Sequence, residues 1–154
     1  VQAYSRVLPQ LRAEPAFAER PFDGIARLLL DLNSMPPVKL GIATGHTSSA
    51  VVPALEALGW RQFFKTIQAA DMAPSKPHPG MLLQALEATG AKAEEAIFIG
   101  DTSFDMEMAR AAKLEGIGVA GDTTQPSAYL RLAHTALLAL SRNSEAFSVS
   151  RWTT

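Results

Sequence analysis

The sequence predicts a three-layer α/β fold, a mainly parallel sheet flanked by helices. Three observations carry that reading. Short apolar runs alternate with longer stretches whose apolar residues recur at helical spacing, the pattern of repeated strand–helix–strand units. Within the runs there is little apolar–polar alternation, as expected of strands covered on both faces. The composition is that of a packed globular chain, 154 residues with 47% hydrophobic and 19% charged. Right-handed crossovers then make successive strands parallel.

The elements follow in order. Residues 1–20 read as a helical stretch interrupted by Pro9 and Pro15. Phe22, Ile25, Leu28, Leu29 and Leu32 share one helical face, and that helix stops near Met35, Pro36 and Pro37, since proline cannot continue the ladder. Residues 38–43 are a buried strand closed by Thr44-Gly45. Ala50, Val51, Ala54, Leu55 and Leu58 form a helix ended by Gly59, a residue suited to the left-handed turn after a helix. Residues 66–69 are a weaker strand. Met81, Leu82, Ala85 and Leu86 make a helix that stops at Gly90, and residues 96–99 are a strand ending in Gly100-Asp101. Met106, Ala109, Arg110 and Lys113 continue as a helix to about Gly116, followed by a strand at residues 117–120 and a mostly helical stretch at 127–140.

Composition narrows the function. Fourteen Lys and Arg against fifteen Asp and Glu leave a net charge of −1, without the basic surface that a phosphate backbone demands, so no nucleic-acid partner is expected. The chain has no cysteine, which removes disulfides, thiol catalysis and Cys-ligated metals. No apolar run approaches the ~20 residues of a membrane helix, and the N-terminus has no signal-peptide layout. The expectation is a cytoplasmic domain with no membrane partner. The first residue is Val1, not Met, and the chain is expected to be a piece of something longer.

In a parallel α/β sheet the functional crevice lies at the carboxyl ends of the strands. Three loops carry polar residues to that edge. In Thr44-Gly45-His46-Thr47-Ser48-Ser49 a strand ends in a hydroxyl and a glycine, and a helix opens with Thr47 or Ser48 as N-cap. The Thr44 hydroxyl and the amides of the opening turn could hold a phosphate oxygen; the same residues also suit ordinary capping. In Pro74-Ser75-Lys76-Pro77-His78-Pro79 the prolines stiffen the backbone and fix Lys76 at a helix entrance. A cation is unfavourable there unless an anion accompanies it. In Gly100-Asp101-Thr102-Ser103-Phe104-Asp105 an apolar strand delivers Asp101 to the crevice, with Asp105 four residues on. Two such carboxylates can bind a hard cation such as Mg²⁺, although capping accounts for part of the pattern. His78 reads as a solvated helix-entrance residue, and His46 and His134 are assigned no chemistry.

Taken together these three loops resemble the second, third and fourth motifs of the haloacid dehalogenase superfamily, closest to its phosphoglycolate-phosphatase-like branch, over residues 21–140. The resemblance implies a Rossmann-like core at residues 21–154 and a remnant of a helical cap at 1–20. It implies that Thr44 and Gly45 bind the phosphoryl group and that Lys76 steadies its charge. It implies that Asp101 ligates Mg²⁺, while Asp105 acts through water or by orienting Lys76. The activity implied is a Mg²⁺-dependent phosphatase acting on a small phosphorylated metabolite. The rivals are a non-catalytic phosphate-binding or assembly module on the same scaffold and a metal-independent dehalogenase. The paired acids favour the metal-dependent phosphatase.

One family element is missing from the sequence. The superfamily's first motif, D-x-D at the end of a first strand, supplies the nucleophile, and no D-x-D occurs in these 154 residues. Hence no nucleophile is assigned in this chain, the first strand and most of the cap are expected to be absent, and this piece is expected to be inactive. Without that strand, residues 38–43 are expected to pair directly with 96–99 in a four-stranded sheet. Residues 1–20 or a second molecule are the other candidates to fill the gap.

Overall fold

The computed structural model of the chain describes residues 24–119 and the backbone of residues 135–140. The helical stretch expected at 1–20 lies outside them, as do residues 127–134. The element order is α1 (Ile25–Asn33), β1 (Lys39–Thr44), α2 (Ser48–Ala57), β2 (Phe64–Gln68), α3 (Gly80–Thr89), β3 (Ala96–Gly100), α4 (Ser103–Ala111), β4 (Glu115–Gly118) and β5 (Thr135–Leu140).

The sheet runs β2-β1-β5-β3-β4. β1 pairs with β2 in parallel, and so does β3 with β4. From β1 the chain steps outward to one edge, and from β3 outward to the other. Strand order therefore reverses about the sheet centre, and a crevice opens at the carboxyl ends of β1 and β3.

Helices cover both faces because the strand side chains alternate. Leu40 and Ile42 of β1 join Leu29 and Leu32 of α1, Val51 and Leu55 of α2, and Phe64 in one core. Ala43, the next residue along β1, belongs to the other core, with Met81, Leu82 and Leu86 of α3, Phe98 of β3, and Met108 and Ala109 of α4. Burying a side chain as large as Phe98, which is wholly enclosed, contributes about 1.5–3 kcal/mol. The three-layer, mainly parallel architecture is the one the sequence predicts.

Three expectations fail. β1 and β3 do not pair with each other, because β5 lies between them, antiparallel to both. Residues 135–140 were expected to be helical, and Leu and Ala do favour helix. Six residues are too few to settle the state by pattern, and the two inward sheet edges present rows of N–H and C=O groups that require partners. Tertiary demand overrides the local preference.

The third failure is at Gly116. The helix expected to reach it ends at Ala111, with Ala112 as C-cap. The left-handed residue beyond is Lys113, φ 61°, so the usual glycine signal is absent. Gly116 sits instead in β4, where a Cβ would come within 3.1 Å of Ala109 Cβ and 3.2 Å of Met106 Sδ. Its bare backbone lets α4 lie close on the sheet.

β5 makes its own test available. Leu138 stands opposite both Gly41 and Phe98, and proline there removes a ladder hydrogen bond at the sheet centre. Leu138→Pro is expected to cost ~2 kcal/mol or more, read as a lower urea midpoint. An unchanged midpoint would place residues 135–140 outside the sheet.

Candidate active site

The three loops named from the sequence meet at the carboxyl edge of the sheet. Thr44 closes β1, Asp101 follows β3, and Lys76 lies on the segment between β2 and α3. With β5 between β1 and β3, those two strands stand two ladder spacings apart, about 9.6 Å.

Thr44 is fully buried, and its Oγ1 accepts a hydrogen bond from the His46 N–H at 3.1 Å. A hydroxyl that accepts from the backbone keeps its proton to donate. Gly45 beside it is exposed, with open space where a Cβ would stand.

Lys76 is held firmly. Its Nζ donates to Asp105 Oδ1 at 2.6 Å, with side-chain exposures of 13% and 1%, and it sits 6.0 Å over the Phe98 ring centroid. Asp105 Oδ2 accepts from the Thr102 N–H at 3.1 Å and from its hydroxyl at 2.7 Å. Thr102 is the N-cap of α4 and Asp105 its N3 residue, so the pair forms a capping box. Both Asp105 oxygens are thereby engaged, one by the cation and one by the cap.

This arrangement rests on Gly100. A Cβ there would lie 2.5 Å from Asp105 Cβ and 2.7 Å from its Cγ, closer than packed atoms approach. Only a glycine at the end of β3 lets the carboxylate fold over the strand towards Lys76.

Burial pushes the Asp105 carboxyl up, but hydrogen bonds from Lys76 and Thr102 and the lysine charge together hold it below its ordinary value of 3.8. Such a group adds stability above its ordinary range, and that stability disappears as pH falls through the depressed value.

Asp101 is half-buried at the crevice. Its carboxylate suits Mg²⁺, which takes one or two carboxylates and keeps several waters. Asp105 is engaged by Lys76 on one oxygen and by Thr102 on the other. Among the described residues no group of three or more His, Cys, Asp or Glu is placed to hold a metal.

His78 Nδ1 accepts from the Gly80 N–H at 3.1 Å, a turn contact at the entrance of α3. His134 lies outside the described residues. Asp71 is the residue that sequence reasoning missed. Its carboxylate accepts from the Ser48 N–H at 2.8 Å and from the Ser48 hydroxyl at 2.6 Å. It therefore occupies the opening of α2, where an anion was expected. Thr47, the N-cap, makes no side-chain cap bond; its hydroxyl pairs with Ser49 Oγ at 3.0 Å. Nothing in the spacing links residues 48 and 71, since only the fold brings β1 and β2 side by side.

The model of the haloacid dehalogenase-like hydrolases matches residues 6–119. The chain belongs to that family. A phosphoglycolate phosphatase of Agrobacterium fabrum is 34% identical over 117 residues, 75% of this chain and 50% of its own length. A probable phosphatase of Dickeya dadantii is 40% identical over 81 residues, 52% of this chain and 35% of that protein. The chain thus spans about half, or less, of the curated relatives it matches. The crystal structure of a family hydrolase from Geobacter sulfurreducens superposes with TM-score 0.58 at 30% identity, covering 62% of this chain and 45% of that one.

Two outcomes follow from this geometry. Gly100→Ala is expected to cost about 1–3 kcal/mol as an overpacked contact, visible as a lowered thermal midpoint. Lys76→Met strands the buried carboxylate and is expected to cost about 3 kcal/mol at neutral pH. Below pH ~4 the penalty should shrink, because Asp105 can then take up a proton. Urea titrations from pH 7 down to pH 3 measure it, and a pH-independent penalty contradicts the pairing.

Proposed function

We propose that this chain is the phosphoryl-handling part of a haloacid dehalogenase-family phosphatase that hydrolyses a small phosphorylated metabolite. The observation that carries the reading is Lys76, a cation seated on a buried carboxylate at the carboxyl edge of a parallel sheet, with Thr44 and Gly45 on the neighbouring strand end. Two of the relatives described above are named phosphatases, one of them for phosphoglycolate.

In this reading Lys76 neutralises charge on the phosphoryl oxygens, and the Thr44 hydroxyl and Gly45 amide orient one of them. Fixed donors aimed at developing charge are the main source of catalytic stabilisation in phosphoryl transfer. Asp105 is a positioning residue that keeps Lys76 from swinging into solvent. Asp101 is the ligand this chain offers to Mg²⁺, an ion that would supply further charge neutralisation when bound. Residues 1–20 are read as the end of a helical cap and residues 21–154 as core. The attacking aspartate is not assigned to any residue of this chain.

That assignment sets the expected activity. With Mg²⁺ and p-nitrophenyl phosphate, the 154-residue chain should turn over far below the ~1 s⁻¹ of ordinary enzymes. Turnover in that range, abolished by Asp101→Asn, would reveal a nucleophile within the chain. Calorimetric titration with Mg²⁺ alone should show millimolar affinity at best, since one carboxylate is a poor site. Micromolar binding would sink the single-ligand assignment.

A further inference from the structure

We infer that Asp71 is a positioning residue that locks the Thr44 loop to the Lys76 loop, so that the two phosphate-binding groups are presented as one rigid unit. The inference rests on the phosphoryl-handling reading above and adds a residue to it.

The geometry is a short chain of hydrogen bonds across two loops. Asp71 takes both the N–H and the hydroxyl of Ser48, 23 positions earlier in sequence. One residue before it, the Ala70 N–H donates to the His46 carbonyl at 2.9 Å. The His46 N–H in turn donates to Thr44 Oγ1. From Ala70, the residue before Asp71, the hydrogen bonds thus lead through His46 to the Thr44 hydroxyl. Five residues beyond Asp71 along the same segment stands Lys76.

The chemistry of the clamp is suited to holding rather than to binding. Hydrogen bonds from Ser48, chiefly that of its hydroxyl, hold the Asp71 carboxyl below its ordinary value. A carboxylate at the opening of α2 also meets the positive end of that helix. Asp71 draws both donors of Ser48 from a different loop, while Thr47, the N-cap, makes no side-chain cap bond. The bidentate grip fixes the approach of the two loops, and such alignment is what presents donors to a transferring group in register. Asp71 and Asp105 then act as a pair: one ties the Lys76 segment to the end of β1, the other to the end of β3.

The test uses the full chain, inorganic phosphate as probe, and two readouts. Phosphate affinity is followed at the Gly45 amide by NMR, and amide exchange is measured at His46 and, as a core reference, at Ile97. Asp71→Ala should weaken phosphate by about tenfold or more, and Asp71→Asn by less. Ser48→Ala combined with Asp71→Ala should add little, because both remove the same contact. The His46 amide should exchange about tenfold faster while Ile97 stays unchanged. If Asp71→Ala binds phosphate like the parent while Lys76→Met does not bind it, the clamp is refuted and the phosphoryl reading stands. If the parent and Lys76→Met bind phosphate equally, the phosphoryl reading falls. The clamp is then judged by exchange, and an unaltered His46 rate refutes it.

Discussion

The structure depends on how the centre of the sheet is satisfied. β1 and β3 each have an outer parallel partner, and each has an inward edge that would be left with unpaired N–H and C=O groups. Leaving such groups without partners costs about 1–3 kcal/mol apiece. β5 meets both edges at once, with Thr135 opposite Thr44 and Leu140 opposite both Lys39 and Ala96. Because it runs antiparallel, it enters at the carboxyl edge, beside the candidate site. One strand therefore determines both the integrity of the two-sided core and the spacing of the loops above it.

Over that platform the site is assembled by charge and hydrogen bonding more than by apolar packing. Lys76 and Asp105 are a nearly enclosed ion pair, and removing one partner leaves the other stranded. Its strength depends on details that look incidental alone. Gly100 makes room for the carboxylate, Thr102 occupies its second oxygen, and Phe98 lies beneath the ammonium. The capping box is at once a helix start and a scaffold for the lysine, so capping and the hold on Lys76 are served by the same residue.

Family membership and local geometry both support the proposed chemistry. The match over residues 6–119 includes all three polar loops, and the structure brings their residues to one edge of the sheet. Thr44, Lys76 and Asp101 supply an oriented hydroxyl, a fixed cation and an acid available for a metal. Such a set fits the phosphoryl-handling role proposed above.

The sequence by itself determined the local elements. Helical spacing placed α1 to α4 to within a few residues at most ends, and apolar runs placed β1, β2 and β3. These are signals of period and punctuation that neighbouring residues carry alone. Lys76 and Asp101 were legible as candidates because stiff prolines and a strand-end acid are local features too. What only the tertiary structure decided involves distant partners. Residues 135–140 became a strand because two sheet edges required one, and α4 stopped short of Gly116 because Lys113 took the left-handed turn that a glycine usually marks. Asp71 found Ser48 across the β1–β2 pairing. Pairing partners and long-range hydrogen bonds have no period along a chain, since they are set by which surfaces folding brings together.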